Sequence, residues 1–227
     1  MLILSIECST LVGGVALSDG ERVLAQESWS EQSRAGEFVV AGVQKLFEKS
    51  GRRPSELQRI AVDIGPGRFT GVRVAVNTAR SLGYSLGLQI APFDSLRILA
   101  EQVESKATPV LSIINAHKNM VYASMFEPSS EGWRCTHAPA ALTIPELEVA
   151  VNKSHICVGE GFEVYESQFS PALREKLIRQ PGLSDHPKVQ CLSRLALKSE
   201  LKSWNDVQPL YIRASEAEEK LKSTTLS

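Results

Sequence analysis

Two apolar runs, Leu2–Cys8 and Pro109–Ile114, open the same rhythm twice, and this repetition constrains the fold more than any other feature. In the first third the order reads β-β-β-α-β-α. Leu2–Cys8 is followed by Gly13–Ser18 and Arg22–Trp29, which flank Asp19-Gly20. That dipeptide closes hairpins because both residues tolerate positive φ. A helix is predicted over Ala35–Ser50, stopped by Gly51 and the Arg53-Pro54 pair. Ile60–Ile64 is a short strand ending in Gly65-Pro66-Gly67, and Thr70–Leu86 has helical period with Gly87 as its stop. Gln89–Pro92 is a further strand, and Asp94 or Ser95 caps a helix reaching about Ser105. The second half answers with strands at Pro109–Ile114, Met120–Phe126 and Trp133–His137, a helix at Ile144–Val151, a strand at His155–Val158 and a helix at Val189–Leu201. The expectation is an α/β chain of two like units, 1–105 and 106–213, each a mixed sheet flanked by helices. The tail 214–227 has too few apolar residues to offset its ordering cost and is expected to be mobile or a short surface helix.

Composition removes several function classes. The 25 Lys+Arg nearly balance 26 Asp+Glu, a net charge of −1, so no strongly basic surface is available to hold nucleic acid unaided. No apolar stretch approaches the roughly 18 residues of a membrane helix. MLILSIECST lacks the basic region and cleavage site of a signal peptide and reads as a buried strand, so a cytoplasmic location with reduced thiols is expected. Cys8, Cys135, Cys157 and Cys191 are far apart, with no C-x-x-C, which argues against a zinc knuckle or disulfide framework.

The sharpest local signal is Gly65-Pro66-Gly67-Arg68-Phe69-Thr70-Gly71-Val72-Arg73. Its glycines allow positive φ and close backbone approach, Pro66 fixes one turn dihedral, and Thr70 is placed to cap the following helix. Free N–H groups at that helix start make an anion site one reading; a tight strand-to-helix connection is the other. The order matches neither a P-loop nor a dinucleotide fingerprint. Gly159-Glu160-Gly161-Phe162, after a strand, reads as a plain loop or as a nucleotide-like turn. Trp29, Trp133 and Trp204 are too scattered for a stacking ladder, and Arg52-Arg53 reads as a solvated basic spot.

Gly65-Pro66-Gly67-x-Phe69-Thr70-Gly71-x-Arg73, followed by Thr78-Ala79-Arg80-Ser81-Leu82-Gly83, resembles the signature of the TsaB (YeaZ) family. Ile6-Glu7-Cys8-Ser9-Thr10, Val121-Tyr122 and Tyr211-x-Arg213 extend the resemblance over most of the chain. It implies a tandem pair of actin/Hsp70-like (ribonuclease H-like) domains and a place in the synthesis of threonylcarbamoyladenosine in tRNA. It also implies a TsaD-type paralogue as partner in a heterodimer, with a homodimer when that paralogue is absent, and a TsaE-type ATPase. The paralogue would hold the catalytic and metal residues and carry the threonylcarbamoyl group to the adenosine beside the anticodon. tRNA would be reached only through the complex, and no membrane is involved.

In that architecture a carboxylate at the end of each first strand holds Mg²⁺ or its waters beside a phosphate-binding turn. Glu7 stands in the first place, with Ser9 and Thr10 opening its turn. The second place holds Asn115, followed by His117 and Lys118; the family has Asp there and Arg in the turn. An amide cannot supply the missing charge, so no catalytic residue, metal ligand or cofactor is expected. The paralogue's H-x-x-x-H pair has no counterpart in Ala35-Gly36-Glu37-Phe38-Val39, nor has Pro92-Phe93-Asp94-Ser95-Leu96 a histidine. His117, His137, His155 and His186 lie at least 18 residues apart and read as surface or hydrogen-bonded histidines. No G-x-S-x-G elbow is present.

The two N-terminal-half helices remain. Small and apolar residues at Gly71, Val72, Ala75, Val76, Ala79, Leu82, Gly83 and Leu86 form a stripe wider than one-sided packing demands, leaving Arg73, Asn77, Arg80 and Ser81 polar. Val39, Val43, Leu46 and Phe47 do the same on the first helix, extended by Phe38, Ala41 and Gly42. Either these stripes pack on each other and the sheet, or they form a docking face. The resemblance favours docking, through Phe38, Val39, Ala41, Gly42, Val72, Val76, Ala79 and Gly83, with Phe38, Val39 and Val76 as anchors. The family's His-Ser-Glu at the start of the first helix is Ala35-Gly36-Glu37 here. The resulting expectation is a non-catalytic pairing subunit. Its rivals are a stand-alone nucleotide-dependent phosphotransferase using Glu7 and the Ser9–Gly14 turn, and a peptidase-like homologue.

Overall fold

The computed structural model describes residues 1–30, 35–105, 107–130 and 132–213; the tail expected over 214–227 lies outside them. Strands β1 (Leu2–Glu7), β2 (Gly13–Asp19), β3 (Arg22–Trp29), β4 (Arg59–Asp63) and β5 (Ile90–Phe93) form one five-stranded sheet in the order β3-β2-β1-β4-β5. The first three run antiparallel, turning at Asp19-Gly20, and β4 and β5 join in parallel. Strands β6 (Val110–Asn115), β7 (Met120–Ser129), β8 (Gly132–Thr143), β9 (His155–Val158) and β10 (Leu177–Ile178) form the second, in the order β10-β9-β6-β7-β8. Read from β8, it repeats the first strand for strand and sense for sense. This is the tandem actin/Hsp70-like (ribonuclease H-like) arrangement that the resemblance implied.

The helices follow from which face of each strand is apolar. Leu2, Leu4 and Ile6 of β1 turn to α1 (Ala35–Ser50) and α2 (Phe69–Leu86), while Ile3 turns the other way onto α7 (Val189–Ala196). On the second sheet, α4 (Ile144–Ala150), α5 (Gly161–Tyr165) and α6 (Pro171–Arg174) cover one face. Leu96, Leu99 and Ala100 of α3 (Ser95–Glu101) cover the other. The strands therefore divide between β5 and β6, but the covering helices are exchanged. α3, from the first stretch, packs on the second sheet, and α7, from the second, packs on the first. Chain beyond α7 also returns: Lys202 bridges to Ile90, and Val207 joins the first core.

Several expectations need correction. α2 starts at Phe69 with Arg68 as its N-cap and no side-chain cap, so Thr70 lies inside the first turn rather than capping it. Asp94 does cap α3, accepting from the Arg97 amide at 2.8 Å, but that helix ends at Glu101. α7 stops at Ala196, and β8 runs twelve residues through Pro139. A sheet edge tolerates that proline because one side of the strand has no ladder to serve. No helix among the described residues is long and apolar enough to cross a membrane.

Candidate functional site: the strand-end cleft and the outer helix pair

The parallel register of β1 and β4 sets Ile6 beside Val62, which brings the next residues, Glu7 and Asp63, together at the strand ends. Both carboxyls are buried. Glu7 Oε1 accepts from the Ser9 amide and the Ser9 hydroxyl, each at 2.7 Å. Asp63 Oδ1 accepts from the Gly65 amide and the Ser95 hydroxyl, also at 2.7 Å each, while Oδ2 has no hydrogen-bond partner. Burial, then the neighbouring Asp63 charge, hold the Glu7 carboxyl well above its ordinary value. Burial pushes Asp63 up to about 6. Glu7 is thus a buried hydrogen-bond acceptor at the edge of the cleft. Among the described residues no group of three or more His, Cys, Asp or Glu side chains is arranged to hold a metal ion.

The Gly-Pro-Gly elbow packs onto the same place. Arg68 N donates to Ser9 O at 2.7 Å. A Cβ on Gly67 would overlap the Ser9 carbonyl, and one on Gly71 the Cys8 carbonyl. Those glycines exist for close approach of backbone to backbone. At the start of α2, for which an anion site is one of two sequence readings, the Ser9 carbonyl takes the Arg68 amide and the Cys8 carbonyl lies against Gly71. Gly65, at φ 93°, turns the chain out of β4.

The second half has the same frame with different chemistry. Asn115 Oδ1 accepts from the His117 amide at 2.8 Å and the Tyr165 hydroxyl at 2.9 Å. His117, Lys118 and Asn119 all adopt left-handed backbone, φ 58°, 52° and 58°. Arg213 closes this turn by donating to Ala116 O at 2.8 Å. Gly159 and Gly161 repeat the elbow's role: a Cβ on Gly159 would overlap the Ile113 carbonyl, and one on Gly161 would lie 3.1 Å from the same group.

The first strand end opens on a cleft of about 210 Å³ lined by Glu7, Gly13, Gly14, Ser184, His186 and Lys188. Adjacent residues tie its sides together. Asp185 Oδ1 accepts from the Gly159 amide at 3.0 Å, and His186 Nδ1 lies 3.1 Å from Thr10 Oγ1. Thr10 also donates to Val12 O at 3.2 Å. Glu160 faces Arg68, His117 and His186, and burial raises its carboxyl. Asp63, Tyr165 and Asp185 were not singled out by sequence; an acid closing an apolar strand just before Gly65 is the signal that marks Asp63.

The helix stripes resolve against the docking list. Val39, Val72, Val76, Ala79 and Gly83 are interior, packed with Leu4, Ile6, Ile60 and Val62 of the sheet or, for Gly83, against Ile90. A Cβ on Gly42 would lie 2.8 Å from Val15, and Phe38 stacks on Trp29 with ring centroids 5.9 Å apart. Of the eight expected positions Ala41 alone is exposed. A helix lying on a sheet turns its small residues inward so that the backbones can approach. The outward surface is instead Gly36, Val40 (64% exposed), Ala41, Gln44, Asn77, Ser81 and Tyr84 (69%), with Val74 half-buried at the α1–α2 seam.

Residues 36–221 match the TsaD family, described as tRNA N6-adenosine threonylcarbamoyltransferase. The TsaB protein of Buchnera aphidicola from Acyrthosiphon pisum is 30% identical over 221 residues, covering 92% of this chain and 97% of that one. The chain belongs to this family, among its TsaB members. The TsaB protein of Bacillus subtilis is 24% identical over 223 residues, 97% of each chain. A Pseudomonas aeruginosa YeaZ structure superposes with a TM-score of 0.77 at 24% identity, over 92% of this chain and all of that one. TsaB membership places the chain in tRNA threonylcarbamoyladenosine biosynthesis.

Proposed function

We propose that this chain is the non-catalytic pairing subunit of a threonylcarbamoyl transfer complex. It docks a TsaD-type paralogue through the outer α1–α2 surface and helps recruit a TsaE-type ATPase; two copies meet through the same surface when the paralogue is absent. The supporting observation is the contrast between the helix surface and the cleft. Val40 and Ala41 of α1 and Tyr84 near the end of α2 present apolar area to solvent, as interfaces do. At the strand ends, Glu7 and Asn115 are engaged by the chain's own donors. Gly36 leaves room at the seam, since a Cβ there would come no nearer than 4.0 Å to Val74.

The test is co-purification of tagged wild-type chain and Val40→Asp with the paralogue. An exposed position accepts the charge, so Val40→Asp is expected to unfold as wild type does and to lose the partner. Retained pairing overturns the assignment of the surface. Turnover of Mg-ATP by the isolated chain overturns the non-catalytic reading.

A further inference from the structure

The last described stretch of chain comes back across the elbow. Leu210 N donates to Ile64 O at 2.7 Å, and this lays Tyr211 against Phe69. The two rings stack with centroids 5.1 Å apart and planes 27° from parallel. The Arg73 guanidinium lies over the Phe69 ring, 4.8 Å from its centroid. Despite these contacts Phe69 stays 40% and Tyr211 49% exposed. The two rings meet at the surface where Phe69 opens α2 and the Leu210–Ile64 backbone hydrogen bond brings Tyr211 alongside.

The elbow segment that carries Phe69 has charge of one sign. From Ile64 to Phe93 the sequence has three arginines, Arg68, Arg73 and Arg80, and no Asp or Glu. Arg73 lies over the Phe69 ring and Arg68 immediately precedes Phe69 in the chain, and Arg213, two residues beyond Tyr211, anchors the turn that carries exposed His117 and Lys118. Among the described residues, Glu160 faces Arg68 and His117. An aromatic platform among arginines suits an unpaired nucleotide, whose base stacks on the ring while its phosphates meet the guanidinium groups.

We propose that Tyr211, Phe69 and Arg73 form an RNA-binding platform that stacks one unpaired base of a single-stranded RNA loop on Tyr211, with Arg73 and Arg68 at the flanking phosphates. This goes beyond the pairing role, and its test does not depend on the pairing surface. With a net charge of −1 and no ladder of tryptophans, the chain has no extended track, so the contact spans one or two nucleotides. An acidic protein segment is the competing occupant.

Fluorescence anisotropy of the full chain with a fluorescein-labelled RNA hairpin, its loop rich in adenosine, tests this. Tyr211→Ala is expected to weaken binding about ten-fold. Arg73→Gln should weaken it several-fold and lower the salt slope by about one. The double variant Arg52→Gln/Arg53→Gln, on a remote basic spot, should bind as wild type, and all variants should melt with wild type. The proposal falls if wild type does not bind the hairpin, if Tyr211→Ala binds unchanged, or if the remote variant loses as much. It also falls if Tyr211→Ala binds the hairpin normally but no longer retains a protein partner, which would make the platform a protein contact. Loss of the partner by Val40→Asp with intact RNA binding leaves it standing.

Discussion

The two halves share a backbone frame and differ in what stands at the strand ends. In each, a glycine-bearing turn after the fourth strand presses onto the end of the central strand, Gly71 on the Cys8 carbonyl and Gly159 on that of Ile113. In the first half that crossing seals two carboxyls side by side; in the second it surrounds an amide that accepts from Tyr165 and His117. The first turn opens an eighteen-residue helix, the second a five-residue one. Repetition of the fold thus conserves close approach, which is a matter of shape, and leaves the chemistry at the junction free to diverge.

The largest effects test the shared frame. Gly71→Ala and Gly159→Ala each put a methyl group into a backbone carbonyl that cannot retreat, and Gly159 also sits at φ 116°. Each is expected to lose about 3 kcal/mol or more in urea unfolding. If one variant is costly and the other is not, the halves are not equivalent. The next effect separates their chemistry. An acid whose folded pKa is raised holds its proton more tightly folded than unfolded. Its stability is therefore complete below about pH 4 and is lost as pH rises through the folded value. With Asp63 up to about 6 and Glu7 also raised, wild type should weaken between about pH 4 and 7. Glu7→Gln should remove part of that loss, raising stability at pH 8 relative to wild type and changing it little at pH 4. A variant that is less stable at pH 8 contradicts the buried pair. The smallest effect is in the second half. Asn115→Asp meets two donors already aimed at the position, so it should shift stability by no more than about 1 kcal/mol and leave the pH profile parallel to that of wild type.

Much of the frame is legible locally. Alternating apolar runs, the Asp19-Gly20 turn and the Gly-Pro-Gly elbow place β1 to β6, the start of β7 and the starts of most helices to within a residue or two. What fails is whatever depends on distant neighbours. Helical period finds the stripe through Val72, Val76 and Ala79, but cannot tell a sheet beneath it from a partner above it. The outward apolar surface is signalled by an apolar residue on the polar face, Val40, which period alone discards. Glu7 and Asp63 meet only once β1 and β4 pair, and nothing near either residue records that pairing. β10 and α6 are too short, at two and four residues, for any period to register.

The exchange of α3 and α7 has a mechanical consequence. Cutting the chain between the sheets would strip Ile3, Ala16, Ala61 and Ala91 of the cover that α7 supplies, and leave Phe126 and Ile156 without that of α3. Neither fragment would be a smaller version of the whole. The molecule is laced like a boot, each side held by a cord that starts on the other, so loosening one half should loosen both in a single event.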